Sequence, residues 1–184
     1  MDAIELMINE HKNIKKMLRV IRSMCIKAVT DDEIDYNDFY SVIDFVRNYA
    51  DKHHHAKEET ILFKKMEQEL DERIAKGPIA AMFVEHDQGR LYMSNLEAAL
   101  KKFNSGDKDS KVDIIANSIC YTDLLNRHID KEDTAIYSFA KRALSKEALE
   151  EVEKRCKEVE VSAEGENRQE KYLSLIEKFE SKYL

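Results

Sequence analysis

Apolar residues recur at alternating intervals of three and four along four stretches of the sequence, and this periodicity constrains the fold more than any other feature. The interval matches one face of an α-helix. The clearest run occupies the first stretch, about Ala3 to Val29: Ile4, Met7, His11, Ile14, Leu18, Ile21, Cys25 and Ala28. Glycine and proline supply only 4 + 1 = 5 of the 184 residues, too few for a turn-rich β-sandwich or barrel. We therefore predict an all-α protein.

Short turns separate four long predicted helices. The first turn is acidic and spans Thr30 to Tyr36, the second is marked by Lys76-Gly77-Pro78, and the third is Asn104-Ser105-Gly106. The predicted helices cover about Ala3–Val29, about Asn37 to between Glu67 and Lys76, Ile79–Phe103, and a stretch that begins at Asp109 or Ser110. Short turns make neighbouring helices antiparallel, so the sequence predicts an up-down-up-down four-helix bundle over residues 1–144.

Residues 145–184 show a weaker helical pattern. A charged helix is predicted near Lys146 to Val159, followed by a polar break from Ser162 to Asn167. The last segment is amphipathic, and its apolar face carries Tyr172, Leu175, Ile176, Phe179 and Tyr183. We interpret residues 145–184 as a C-terminal helical extension that packs on the bundle.

Charge and hydropathy exclude several classes of partner. The chain has 30 basic and 37 acidic residues, interspersed, for a net charge of −7, so we expect no nucleic-acid partner. No apolar run approaches the roughly 18 residues of a membrane span, and the first residues do not resemble a signal peptide. We therefore expect a cytoplasmic protein with no membrane partner. The three cysteines are widely spaced, which is typical of reduced thiols. The sequence does not identify a protein partner.

A histidine interrupts each of the four apolar faces. His11 and His54 lie about 18 or 19 residues on either side of the first turn, roughly 27 Å along their helices. His86 and His128 lie about as far from the third turn, and both pairs lie toward the same end of the bundle. The four imidazoles are therefore predicted to meet at one level.

Part of the sequence is repeated, which relates the two halves of the bundle. The segment from His54 to Phe63 and the segment from His128 to Tyr137 share the pattern HxxKE[ED]Tx[IL][FY]. An earlier histidine precedes each copy by 43 and 42 residues, so each half reads as one copy of a helical hairpin. Histidine and glutamate four positions apart share a helix face. Glu58 and Glu132, and not Asp133, are therefore predicted to point at the bundle axis with His54 and His128.

So many buried titratable groups indicate a metal site. Burying a polar group without a partner costs about 2–7 kcal/mol, and burying a charged carboxylate costs far more. A bound cation removes this cost, because neutral imidazoles become ligands and the carboxylates gain a counter-charge. Imidazole and carboxylate without thiolate suit iron, manganese or zinc. More than four ligands converge, and two ions bridged by Glu58 and Glu132 account for the whole set.

This arrangement is similar to the hemerythrin family, particularly its bacterial hemerythrin-like (HHE cation-binding) members. The resemblance covers about Met1 to Ala143 and includes the segments DKHHHAKEExxLF, GPxxxMxxEHxxGR and RHIxKED. It implies a non-haem di-iron centre. The residues that match the family's ligands position by position are His11, His54, Glu58, His86, His128 and Glu132.

The sequence departs from the family's oxygen carriers at one position. Those proteins have a second histidine on the third helix, one turn before the matching one, and Met82 stands there in this chain. The ion held by His86 and His128 then lacks a nitrogen ligand unless His55 supplies it. We predict that His55 is a ligand and that its neighbour His53 is not.

Three functions fit these ligands. The leading hypothesis is a di-iron protein that binds dioxygen or a related small oxidant, a diatomic or peroxide, for storage, carriage or sensing. The expected walls of its pocket are Leu62, Met82, Phe83 and Ile136. One alternative is an enzyme that reduces peroxide, nitric oxide or dioxygen, with Tyr121 as a hydrogen-bond or electron donor. The other is an iron- or oxygen-responsive regulatory bundle whose C-terminal extension is the partner surface.

Overall fold

The computed structural model describes residues 2–31, 33–165 and 167–184, with the side chains of residues 72–76 left out. Asp32, in the predicted first turn, and Glu166, in the predicted polar break, lie outside the described residues. Six helices make up the described chain. They are α1 (Ala3–Thr30), α2 (residues 36–69, built from Tyr36–Phe45, Val46–His55, Glu58–Leu62 and Phe63–Glu69), α3 (Glu72–Asn104), α4 (residues 111–143, built from Lys111–Lys131, Glu132–Ile136 and Tyr137–Ala143), α5 (Lys146–Gly165) and α6 (Arg168–Tyr183).

The all-α fold and the four-helix bundle, formed by α1 to α4, are confirmed. The predicted break at Lys76-Gly77-Pro78 is wrong, because α3 begins at Glu72 and continues through Pro78. A proline removes one backbone hydrogen bond and crowds the preceding turn. Pro78 lies so close to the start of α3 that the long remainder of the helix keeps its own hydrogen bonds, and the helix persists.

The apolar core is divided into two clusters by a polar layer. One cluster surrounds Leu18, Phe45 and Leu100, and the other surrounds Met7, Phe63 and Met66. On α1, the buried Glu10 and His11 separate Met7 from Ile14, the nearest members of the two clusters. The polar residues of the bundle interior are thus held at one level with close-packed apolar side chains above and below them.

Both helices of the C-terminal extension pack on the bundle. Helix α5 places Val152 and Cys156 in the second apolar cluster, and α6 places Ile176 and Phe179 in the first. Ion pairs surround the α6 contact, among them Lys182 Nζ to Asp35 Oδ2 at 2.6 Å. Across the described residues, none of the helices combines the length and the apolar composition that crossing a bilayer requires.

Candidate metal centre

All seven predicted site residues lie in the polar layer, and each is at most 5% exposed. They fall into two groups whose ligand atoms lie within 4.8 Å of one another. The two-histidine group comprises His11, His54, Glu58 and Glu132. The three-histidine group comprises His55, Glu58, His86 and His128.

The two groups share Glu58, and Glu132 also lies near both. Glu58 Oε2 lies 3.7 Å from His54 Nε2 in one group and 3.6 Å from His86 Nε2 in the other. Glu132 places Oε2 3.4 Å from His11 Nε2 and Oε1 3.1 Å from His128 Nε2. Glu132 therefore directs one oxygen toward each group, and Glu58 directs Oε2 toward both, so both carboxylates lie between the two groups.

The separations of these atoms fit the ligands of a metal ion. Two ligands about 2.1 Å from an ion and at right angles to each other lie about 3.0 Å apart. His86 Nε2 and His128 Nε2 are 2.9 Å apart, which brings two ring nitrogens toward one point. Four other inward atoms find no hydrogen-bond partner among the described residues: His54 Nε2, Glu58 Oε2 and both oxygens of Glu132.

The two carboxylates repel each other in the absence of a cation. Burial and the charge of Glu132 raise the pKa of Glu58 well above its usual range. Burial also acts to raise the pKa of Glu132, but His128 and His11 outweigh it and hold that pKa well below its usual range. The pKa values of the two buried carboxylates are thus shifted in opposite directions, and a cation between the carboxylates would stabilise this site. The residues present thus fit a metal centre.

A carboxylate from a neighbouring helix holds the outer nitrogen of each of four histidines. Glu10 Oε2 of α1 accepts from His54 Nδ1 of α2 at 2.8 Å, and Glu59 Oε1 of α2 accepts from His86 Nδ1 of α3 at 2.7 Å. The remaining two pairs are Glu85 of α3 with His128 of α4, at 2.9 Å, and Asp133 of α4 with His11 of α1, at 2.7 Å. The four pairs form a closed ring around the bundle, in the order of the helices.

This ring orients the ligand nitrogens. Burial acts to raise the pKa of Glu10, Glu59 and Glu85, but hydrogen bonds from histidines and nearby cations lower it overall. These carboxylates are therefore ionised and accept a hydrogen bond from Nδ1–H, which leaves the lone pair of Nε2 pointing inward. His55 is a looser case, because its Nδ1 lies 3.5 Å from Asp51 Oδ1.

The sequence prediction did not include the ring. A signal was present, since an acidic residue adjoins a ligand in the pairs Glu10-His11, Glu58-Glu59, Glu85-His86 and Glu132-Asp133. Asp133 itself is 29% exposed on its side chain and lies on the outer side of His11. This placement agrees with the choice of Glu132, and not Asp133, as the inward carboxylate.

Wide π-helical turns shape both HxxxE segments. Segments of this type begin at Glu58 and at Glu132, and another spans Val46–His55. A π-helical turn takes in one more residue than an α-helical turn, so consecutive residues are separated by a smaller angle, and such turns are frequent at functional sites. His54 and His55 accordingly both reach the polar layer. His53 is also buried, but it belongs to a separate cluster with Glu10 and Glu160, whose carboxylates both contact the ammonium of Lys57.

Tyr137 is a residue of the centre that the sequence analysis missed. Its hydroxyl donates to Glu58 Oε1, and its ring stacks on His11 with centroids 5.5 Å apart and planes 5° from parallel. Phe63 occupies the equivalent position of the first copy and stacks on His86 at 6.3 Å. The [FY] at the end of the repeat pattern was the available signal. One half of the centre thus has a hydroxyl where the other has none.

A cavity of about 300 Å³ adjoins the three-histidine group. His55 and His86 lie at this cavity together with Tyr121, whose buried hydroxyl has no partner within the described chain. Arg90, paired with Asp51 at 2.6 Å, also lines it. The predicted pocket walls do not line this cavity: Leu62, Met82, Phe83 and Ile136 pack in or against the second apolar cluster.

Comparison with known proteins agrees with this geometry. No curated protein and no solved structure matches the chain. Residues 2–140 match the family described as the hemerythrin HHE cation binding domain, which covers the bundle and stops before the extension. Two buried groups of histidine and glutamate, each able to hold a cation, lie within the matched residues. The chain belongs to the hemerythrin HHE cation-binding domain family.

Proposed function

We propose that the protein is a non-haem di-iron protein that binds dioxygen or a related small oxidant. His11 and His54 hold one iron ion, His55, His86 and His128 hold the other, and Glu58 and Glu132 bridge them. The observation that carries this proposal is the pair of buried groups that share Glu58 and are both approached by Glu132. Iron is favoured because the ligands are imidazole and carboxylate without thiolate, and because more of them converge than structural zinc uses.

The two ions would receive unequal numbers of histidines. The two-histidine group supplies one nitrogen ligand fewer, so the ion there retains room for an external ligand. A pair of iron ions supplies electrons and an open coordination position to a small oxidant. We therefore propose that the oxidant binds on the side of His11 and His54.

Tyr137 would then be a proton donor beside the oxidant. Its hydroxyl oxygen lies 3.5 Å from His11 Nε2. Burial and the charge of Glu58 raise its pKa well above the usual range, so it keeps its proton at neutral pH. When it turns from Glu58 Oε1, this hydroxyl can donate a hydrogen bond to a bound oxidant and so stabilise it.

The same hydroxyl favours a second candidate function, an enzyme that reduces peroxide, nitric oxide or dioxygen. Reduction of an oxygen species requires protons as well as electrons, and Tyr137 holds a proton beside the centre. Binding and reduction use the same ligands and differ in whether the oxidant is released unchanged.

Oxygen titration of the reduced protein tests both candidates. Elemental analysis after iron-replete expression is expected to give two iron atoms per chain. Stepwise addition of oxygen to the anaerobically reduced protein is then followed by visible absorption. A band that appears with oxygen and disappears on its removal supports binding, whereas irreversible oxidation with turnover of peroxide supports the enzyme. A reproducible single zinc ion would contradict the di-iron proposal.

A further inference from the structure

A fully buried lysine lies behind the two-histidine group. Lys57 of α2 is 0% exposed, and its ammonium contacts the carboxylates of Glu10 on α1 and Glu160 on α5. A buried ammonium is tolerable only where carboxylates surround it. Glu10 is also the residue that accepts the hydrogen bond of His54 Nδ1. Glu160 of α5 is thus linked to His54, a proposed iron ligand, through two intermediate side chains, Lys57 and Glu10.

Two further residues fix this arrangement. His53 Nε2 lies 3.1 Å from Glu10 Oε1 and 3.2 Å from Glu160 Oε1. Gln169 of α6 donates from Nε2 to Glu160 Oε2. Both helices of the C-terminal extension therefore contribute a side chain to one network, which we name the Lys57 network: Glu10, His53, Lys57, Glu160 and Gln169.

The second copy of the repeat contains the same pairing without the extension. Lys131, the equivalent of Lys57, contacts Glu85, which holds His128 as Glu10 holds His54. The Lys131 side chain is 46% exposed, whereas that of Lys57 is fully buried. Only in the first copy does α5 cover the lysine, and there Glu160 supplies a second carboxylate. The extension thus distinguishes two otherwise equivalent histidine ligands.

We infer that the C-terminal extension positions a metal ligand, with Glu160 acting through Lys57 and Glu10 to hold His54. This inference rests on the proposed function, in which His54 binds one iron ion. Glu160 shares the ammonium of Lys57 and so leaves Glu10 Oε2 to the imidazole. Without that share, Lys57 draws the Glu10 carboxylate toward itself and the hydrogen bond to His54 weakens.

The test replaces Glu160 in the full-length chain. Glu160→Gln keeps the size of the side chain and removes its charge. After iron loading and reduction, removal of iron by a colorimetric chelator is expected to proceed in two phases, one for each ion. Glu160→Gln is expected to accelerate one phase about tenfold, the usual effect of losing a partner of a ligating histidine. Glu85→Gln, which acts on His128, is expected to accelerate the other phase.

Two controls separate positioning from a general loss of stability. Glu158→Gln changes an exposed carboxylate on the same helix and is expected to leave both phases unchanged. Phe179→Ala loosens the packing of α6 ten residues, or about 15 Å of helix, from Gln169 of the Lys57 network, and it is expected to leave both phases unchanged as well. Acceleration of the same phase by Phe179→Ala, or equal acceleration of both phases by Glu160→Gln, would overturn the inference.

A measurement on the metal-free chain keeps the inference testable whatever the metal. The downfield proton resonances of the histidine Nδ1–H groups are followed by nuclear magnetic resonance. Glu160→Gln is expected to broaden or abolish the signal of His54 and to leave that of His128 sharp. An unchanged His54 signal would refute the inference alone, whereas failure of the wild-type protein to bind two iron ions would refute the proposed function alone.

Discussion

Replacing Tyr137 by phenylalanine removes a single hydroxyl and makes the two halves of the centre alike, since Phe63 is the equivalent residue. In the metal-free protein, Glu58 Oε1 then loses its donor inside a fully buried site. Leaving a buried acceptor without its donor costs about 2 kcal/mol. For a chain of this size, that loss corresponds to a fall of roughly 4–8 °C in the melting temperature.

Metal binding is expected to reduce this loss. A cation beside Glu58 gives this carboxylate a partner that does not depend on Tyr137. Glu58 is then no longer an unsatisfied buried acceptor, and the missing hydroxyl costs only the net value of one hydrogen bond, about 1 kcal/mol. Thermal unfolding followed by circular dichroism, with and without metal, measures both values. The informative quantity is the ratio of the stability lost without metal to the stability lost with metal, because this ratio depends on contact between the metal and Glu58.

Tyr121 provides the matched control. It is another tyrosine of the core, 1% exposed, and its hydroxyl has no partner among the residues described. Tyr121→Phe is therefore expected to leave stability unchanged or to raise it by up to about 1 kcal/mol. If Tyr121→Phe is as damaging as Tyr137→Phe, or if Tyr137→Phe costs as much with metal as without, the assignment of Tyr137 to Glu58 is wrong.

Three further predictions concern other parts of the molecule. Glu132→Gln is expected to lose at least one ion by elemental analysis, whereas Asp133→Asn, which only orients His11, retains both with affinity lowered roughly 10- to 100-fold. Phe179→Ala is expected to lower the free energy of unfolding in urea by about 3–5 kcal/mol, because its ring is fully buried. We expect external ligands to reach the centre through the cavity beside the three-histidine group. Met93→Trp narrows this cavity and is then expected to slow the binding of azide in rapid mixing, and an unchanged rate would exclude the cavity as the entry route.

The helices and the inward ligands were predictable because both follow from regular geometry. The rise of an α-helix relates His11 to His54 and His86 to His128 without knowledge of any contact. The repeat then aligns Glu58 with Glu132. His55 was predicted as a ligand because Met82 stands where the family's oxygen carriers have a histidine. The structure places His55 in the three-histidine group.

The outer carboxylates were not predictable by the same reasoning. In a chain with 36% charged residues, an acidic side chain beside a ligand looks like any solvated charge. Glu10 and Glu59 gain their partners on a neighbouring helix, and the pairing depends on the order of four helices around the axis. The π-helical turns are also invisible in the sequence, since Val46–His55 carries no residue type specific to that geometry. Pro78 was misread because local propensity was given more weight than its place near a helix end.

The closed ring of carboxylate–imidazole pairs means that the rotamers of its four histidines are chosen when the chain folds, and not when an ion arrives. A zinc finger, by contrast, gathers its ligands only as the metal binds, so that folding and binding are one event. In this chain little rotational entropy remains to be lost on binding, and no helix needs to form. Entry of the ions is then governed by how they pass the packed side chains around the centre. The inward nitrogens and carboxylate oxygens are thus in place before an ion enters, and metal loading is expected to leave the helical content of the chain unchanged.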